Sequence, residues 1–153
     1  MKRTFIAAGL AVVLSACGSS DKNDKTTGNP FLTEFTTPFG VPPFDKITLA
    51  DYKPAFLQGM EEQKREIEAI VNQRSIPDFE NTIAALDQSG KLLKRVSTVF
   101  YGQNSVNTND EMQALSRELS PLLSKHGDDI SLNPALFARV KEVYDNQAKF
   151  NLD

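Results

Sequence analysis

From Phe56 to Val71 the apolar residues Phe56, Met60, Ile67, Ile70 and Val71 recur at spacings of three, four and seven, and Glu61, Glu62, Lys64, Arg65, Glu66 and Glu68 fill the positions between them. That period fits one face of an α-helix and no β-strand. A helix of this kind has one face that must be covered, so the chain is committed to packing further helices against it. Thr48 and Asp51 have capping-box spacing at its start, and Pro54 suits a first turn. "RSIPDF" (74–79) breaks the pattern, and Asp78 is a candidate cap for a second helix carrying Ile83, Leu86, Leu93, Val96, Val99 and Phe100, with Gly90 placed to loosen or bend it. After the polar turn "NSVNTNDE" (104–111), where Thr108 and Glu111 again have capping-box spacing, a third helix shows Met112, Leu115, Leu119, Leu122, Leu123 and Ile130, with a kink expected at Pro121. Asn133-Pro134 is a cap and first-turn pair for a fourth helix bearing an apolar face of Leu136, Val140, Val143 and Tyr144. The reading is all-α: four main helices, short loops, and no alternating strand of useful length.

Ahead of these helices lies "NPFLTEFTTPFGVPPFDKI" (29–47), with four prolines and four phenylalanines. Proline removes backbone donors and disfavours helix in the residue before it, whereas phenylalanine gains from burial. An extended arm laid across the helical surface satisfies both, and is favoured over a proline-rich ligand for a partner.

The amino terminus asks for a separate account. Lys2 and Arg3 precede the apolar run Phe5 to Leu14, then small residues and Cys17, the single cysteine. Ten apolar residues are too few to cross a bilayer, which takes about 20 in a helix, so residues 1–16 read as a signal peptide. Leu14-Ser15-Ala16-Cys17 resembles a bacterial lipobox, in which the cysteine sulfur takes a diacylglycerol and becomes the new amino-terminal residue. Cys17 is therefore the expected lipid attachment site, and one cysteine excludes an internal disulfide. Residues 17–28, in which "GSSDKNDKTTG" has no aliphatic or aromatic side chain, would serve as a flexible tether. Gly18, rather than an aspartate, follows the cysteine, so by resemblance to enterobacterial lipoproteins the outer membrane of a bacterial cell envelope is favoured. With 17 basic and 20 acidic residues the net charge is −3, and loss of Lys2 and Arg3 makes it −5. Such a balance leaves no basic footprint for nucleic acid.

Catalytic chemistry is hard to place. His126, the sole histidine, falls four residues after Leu122 beside the apolar seam and reads as structural, since a zinc site would need further ligands at set spacing. Glu61/Glu62 and Asp128/Asp129 are adjacent on helices and do not face one another as an acid–base pair would. No G-x-S-x-G and no phosphate-binding glycine loop occurs. No catalytic residue and no metal ligand is expected in this chain.

Five blocks, "PPFDKI", "YKPAFLQGMEEQKREIEAI", "FENTIAALDQSGKLLKRVSTVF", "NTNDEMQALSRELSPLLSKH" and "ISLNPALFARVKEVYD", resemble in order the amino-terminal segment of the peptidyl-dipeptidase branch of the thimet-oligopeptidase family of zinc metallopeptidases. The resemblance runs over 29–153. It implies a helical lobe that walls a deep channel, short peptides as substrates, removal of carboxyl-terminal dipeptides, and zinc held by an H-E-x-x-H helix and a further glutamate. One histidine cannot supply H-E-x-x-H, so the expectation is the first, incomplete part of a lipid-anchored enzyme, inactive and binding no zinc by itself. A stand-alone lipid-anchored helical scaffold or binding protein is the alternative.

Overall fold

The computed structural model describes residues 28–150. The signal segment, Cys17 and all of the proposed tether except Gly28 lie outside the described residues, as do residues 151–153. Four long helices are present, as the periodicity predicts: α1 (Leu49–Val71), α3 (Lys91–Val106), α4 (Asp110–Ser131) and α5 (Pro134–Asp145). The short α2 (Ala85–Gln88) continues a π-helical stretch, Phe79–Ala84. No strand occurs among the described residues.

Gly90 does more than bend the second predicted helix: it divides it into α2 and α3. Its backbone is left-handed, φ +70° and ψ 27°, a conformation that glycine adopts without the cost a Cβ imposes. Pro54 falls in the second turn of α1 rather than the first, and the helix runs through it. The bond lost is the one to the carbonyl of Ala50, an exposed residue, where water can replace it. Pro121 likewise lies inside the unbroken α4.

The caps differ in one place from the expected set. Thr48 donates through both N–H and hydroxyl to Asp51 Oδ2, each at 2.7 Å. Asp78 Oδ1 accepts from Asn81 N at 2.7 Å, and Asn81 Oδ1 from Asp78 N at 3.1 Å. Asn133 Oδ1 accepts from the N–H groups of Ala135 and Leu136. At α4, however, the cap is Asn109, whose Oδ1 accepts from Met112 N at 2.8 Å. Thr108 instead donates to Asn104 and accepts from Gln113. Asparagine is at least as good an N-cap as threonine, so the start shifts by one residue.

α1 is the axis of the fold. Tyr52 and Phe56 meet Phe100, at ring separations of 5.1 and 5.5 Å, while Gln63 lies against Gly90, so α3 runs antiparallel to α1. Lys53 pairs with Glu118 and Gln63 with His126, so α4 runs parallel to it. Phe31, Tyr52, Phe56, Leu92, Val96, Phe100, Met112 and Leu119 form one core around the first half of α1, and Ile67, Ile70 and Leu136 a smaller one around its end. Leu136 and Val143 are buried and Val140 half-buried, but Tyr144 is 68% exposed. The fourth apolar face is thus narrower than its spacing suggests.

The arm packs on the core at both ends, through Phe31 and Phe35 and through Ile47, but not at its turn. Asn29 Nδ2 donates to the carbonyl of Asp51 at 2.8 Å, Phe31 is fully buried, and Phe35 lies 5.6 Å beneath the Arg95 guanidinium. Beyond it the chain turns through Pro38–Gly40, and Phe39 takes a left-handed φ of 60° with its side chain wholly exposed. The expectation of an extended arm laid across the helical surface fails at this turn.

Candidate functional site

Several chemistry-bearing side chains meet where α1 and α4 run side by side. Their facing turns leave a groove of about 420 Å³ with an apolar floor that includes Met60, Ile67 and Ile130, and a rim of Glu61, Lys64, Lys125 and Asp129. His126 sits in its wall, half-buried, with Nε2 2.8 Å from Gln63 Oε1. Gln63 in turn donates to Ser89 Oγ at 3.3 Å, and the Gly90 N–H donates to Glu66 Oε2 at 2.7 Å. One chain of hydrogen bonds therefore ties α4 to α1 and α1 to the break between α2 and α3.

Burial pushes the His126 imidazole below its ordinary value of 6.5, and the nearby carboxylates of Asp129 and Glu61 oppose that shift. The neutral ring is favoured, with Nε2 as donor to the Gln63 carbonyl oxygen. This is the structural role expected of a histidine beside the seam. Because Nε2 is spent on Gln63, and because no three His, Cys, Asp or Glu side chains gather among the described residues, this part of the chain does not fit a zinc site. Glu61 and Glu62 behave as their spacing implies: Glu61 lines the groove while Glu62 accepts from Gln58. Asp129 is paired with Lys125 and exposed. Cys17 lies outside the described residues. Among those residues no helix is long and apolar enough to cross a membrane.

A second polar cluster was not anticipated from the sequence. Arg139 on α5 is only 8% exposed. Its two terminal nitrogens donate to the carbonyls of Gln73 and Ser75, to Asn81 Oδ1 at 2.8 Å and to Thr82 Oγ1 at 3.3 Å, while Nε is buried without a partner. The signal was present: Arg139 stands three residues after Leu136 and four before Val143, on the face that helical spacing buries. Its work is to bolt α5 to the loop after α1 and to the π-helical stretch. Neither cluster contains a nucleophile with a base. What the geometry offers is a shaped apolar surface with a charged rim.

No protein-family model matches the chain. It is similar to dipeptidyl carboxypeptidase of Escherichia coli, 46% identical over 128 residues covering 84% of this chain and 19% of the relative. It is equally similar to dipeptidyl carboxypeptidase of Salmonella typhimurium, 46% identical over 82% of the chain and 18% of that relative. Oligopeptidase A of Escherichia coli is 26% identical over 76% of the chain and 17% of its own length. The chain thus spans about a fifth of the length of the relatives it matches. With this identity sustained over most of its residues, the chain belongs to the thimet-oligopeptidase family, on the dipeptidyl carboxypeptidase branch, and corresponds to one part of its members' length.

Proposed function

We propose that this chain is the channel-walling helical segment of a lipid-anchored zinc peptidase that removes carboxyl-terminal dipeptides from short peptides. The single observation that carries this reading is 46% identity over 84% of the chain to proteins named dipeptidyl carboxypeptidase. In it, α1 to α5 confine the substrate, and zinc and its ligands are supplied by other parts of the enzyme. The anchor rests on Lys2, Arg3, the apolar run Phe5 to Leu14 and Leu14-Ser15-Ala16-Cys17, and it favours the bacterial outer membrane. The reading is tested by extending the coding sequence downstream of codon 153 through any H-E-x-x-H it holds. Release of dipeptides from short peptides, abolished by a chelator, is expected; a continued, folded chain without that activity would overturn it.

One observation favours a second reading, a self-sufficient lipid-anchored scaffold: Phe31, Phe56, Val96, Phe100 and Leu119 are already fully covered. Four helices can close a core unaided. A stop codon kept at this position, together with a sharp cooperative melt of the 153-residue chain, would favour the scaffold.

A further inference from the structure

At the turn of the arm the Phe39 ring is wholly uncovered among the described residues, and two apolar neighbours are only half covered. Phe39 is 103% exposed, Val41 49% and Phe44 48%. They belong to "FTTPFGVPPF" (35–44), ten residues without a charge in a chain whose composition is 24% charged. The ring of Phe39 is held outward by an ordered turn: Gly40 N donates to the Thr37 carbonyl at 3.0 Å, Val41 N to that of Pro38 at 3.4 Å, and the Thr37 hydroxyl to that of Val41. A φ of 60° is unusual for a bulky residue, and a left-handed backbone outside glycine persists only where its surroundings require it. No contact of the ring among the described residues supplies that requirement.

The relatives indicate what does. Any run of 128 matched residues in a chain of 153 must include residues 26–128, so the whole arm lies in the part shared with Escherichia coli dipeptidyl carboxypeptidase, of which that match covers 19%. The surface that would cover the turn is therefore sought in the other four-fifths of such a protein. Resting on the family reading above, we infer that Phe39, flanked by Val41 and Phe44, is a hook that seats in an apolar socket on the remainder of the peptidase and clamps this helical segment to it.

The test compares Phe39→Gly in two settings. In the 153-residue chain the variant removes an uncovered ring and relieves the left-handed backbone, so the melting temperature is expected to stay or rise. In a chimera, residues 29–153 replace the matching segment of Escherichia coli dipeptidyl carboxypeptidase. There the same variant is expected to lower the melting temperature, and in a two-piece version with the chain cut after residue 153 it should weaken association about tenfold or more. An active chimera indifferent to Phe39→Gly overturns the hook and leaves the family reading standing; a wild-type chimera that neither folds nor releases dipeptides overturns both. Phe39→Trp introduces the sole tryptophan of the 153-residue chain. A blue shift of its emission on adding phosphatidylglycerol vesicles would assign the tip to lipid and overturn the proposal.

Discussion

A Cβ built on Gly59 would stand 2.8 Å from the backbone nitrogen of Leu93 and 2.9 Å from its Cα. α1 and α3 touch there backbone to backbone, which is closer than any side chain larger than hydrogen permits. Gly59→Ala would gain about 1 kcal/mol of helix propensity but force the helices apart, and overpacking of this kind costs about 1–3 kcal/mol. The expected outcome is a net loss, read as a melting temperature lower by about 3–6 °C. An unchanged or raised melt would show that α1 and α3 can separate freely.

His126 makes the fold sensitive to acid in a defined direction. Its folded pKa lies below 6.5, so above that pH both folded and unfolded states hold it neutral and its full contribution is present. As pH falls below 6.5 the unfolded chain takes up the proton first, and stability is lost progressively toward the folded pKa. His126→Gln should flatten the dependence of melting temperature on pH between about 7.5 and 5. Equal slopes for both proteins would count against the neutral, Gln63-bonded imidazole.

Removing Arg139 should be costly for a single substitution away from the main core. Arg139→Met keeps much of the volume but takes the guanidinium donors from two backbone carbonyls and Thr82 Oγ1 and leaves Asn81 Oδ1 with only those of Asp78 N and Thr82 Oγ1, and a loss of about 2–4 kcal/mol is expected in urea unfolding. Arg139→Lys should recover only part of this, because one ammonium cannot span the loop and the π-helical stretch as a planar fork does. A neutral Arg139→Met would contradict the bolt.

Cys17→Ser should abolish lipid attachment and shift the protein from the detergent to the aqueous phase on phase separation. Mass spectrometry of the unaltered protein should find acyl chains on a mature terminus at residue 17. Detergent-phase partition of the variant without a lipid mass would refute the lipobox.

The purified chain should release no carboxyl-terminal dipeptides and bind no stoichiometric zinc, because the donors among its described residues are spent or scattered. Chelator-sensitive dipeptide release by it would reveal a site elsewhere in the sequence.

How much of this was legible beforehand depended on whether the determinant was local. Caps such as Asp78 and Asn133, the buried face of α1, and that of α4 apart from the exposed Leu122, follow from spacing because helix geometry fixes which residues share a face. Gly90 was visible as a place where a helix could loosen or bend, but the break there and its left-handed turn are fixed from outside: a Cβ would meet Gln63 at 2.5 Å, a contact made 27 residues away. Phe39 misled for the opposite reason, since composition says that phenylalanine gains from burial without saying whether the covering surface lies in this chain. The groove around His126 needed the parallel course of α1 and α4, which no single stretch of sequence carries.

Every acceptor around Arg139 is electrically neutral, which separates that cluster from the ion pairs Lys53–Glu118, Lys125–Asp129 and Lys141–Asp145 on the surface. Those exposed pairs weaken as salt shortens the range of charge–charge attraction, to about 3 Å at 1 M. The Arg139 bonds are short-range, shielded from ions by burial, and have no counter-charge to screen. The seat of α5 is therefore indifferent to ionic strength, and salt that loosens the surface pairs leaves it in place.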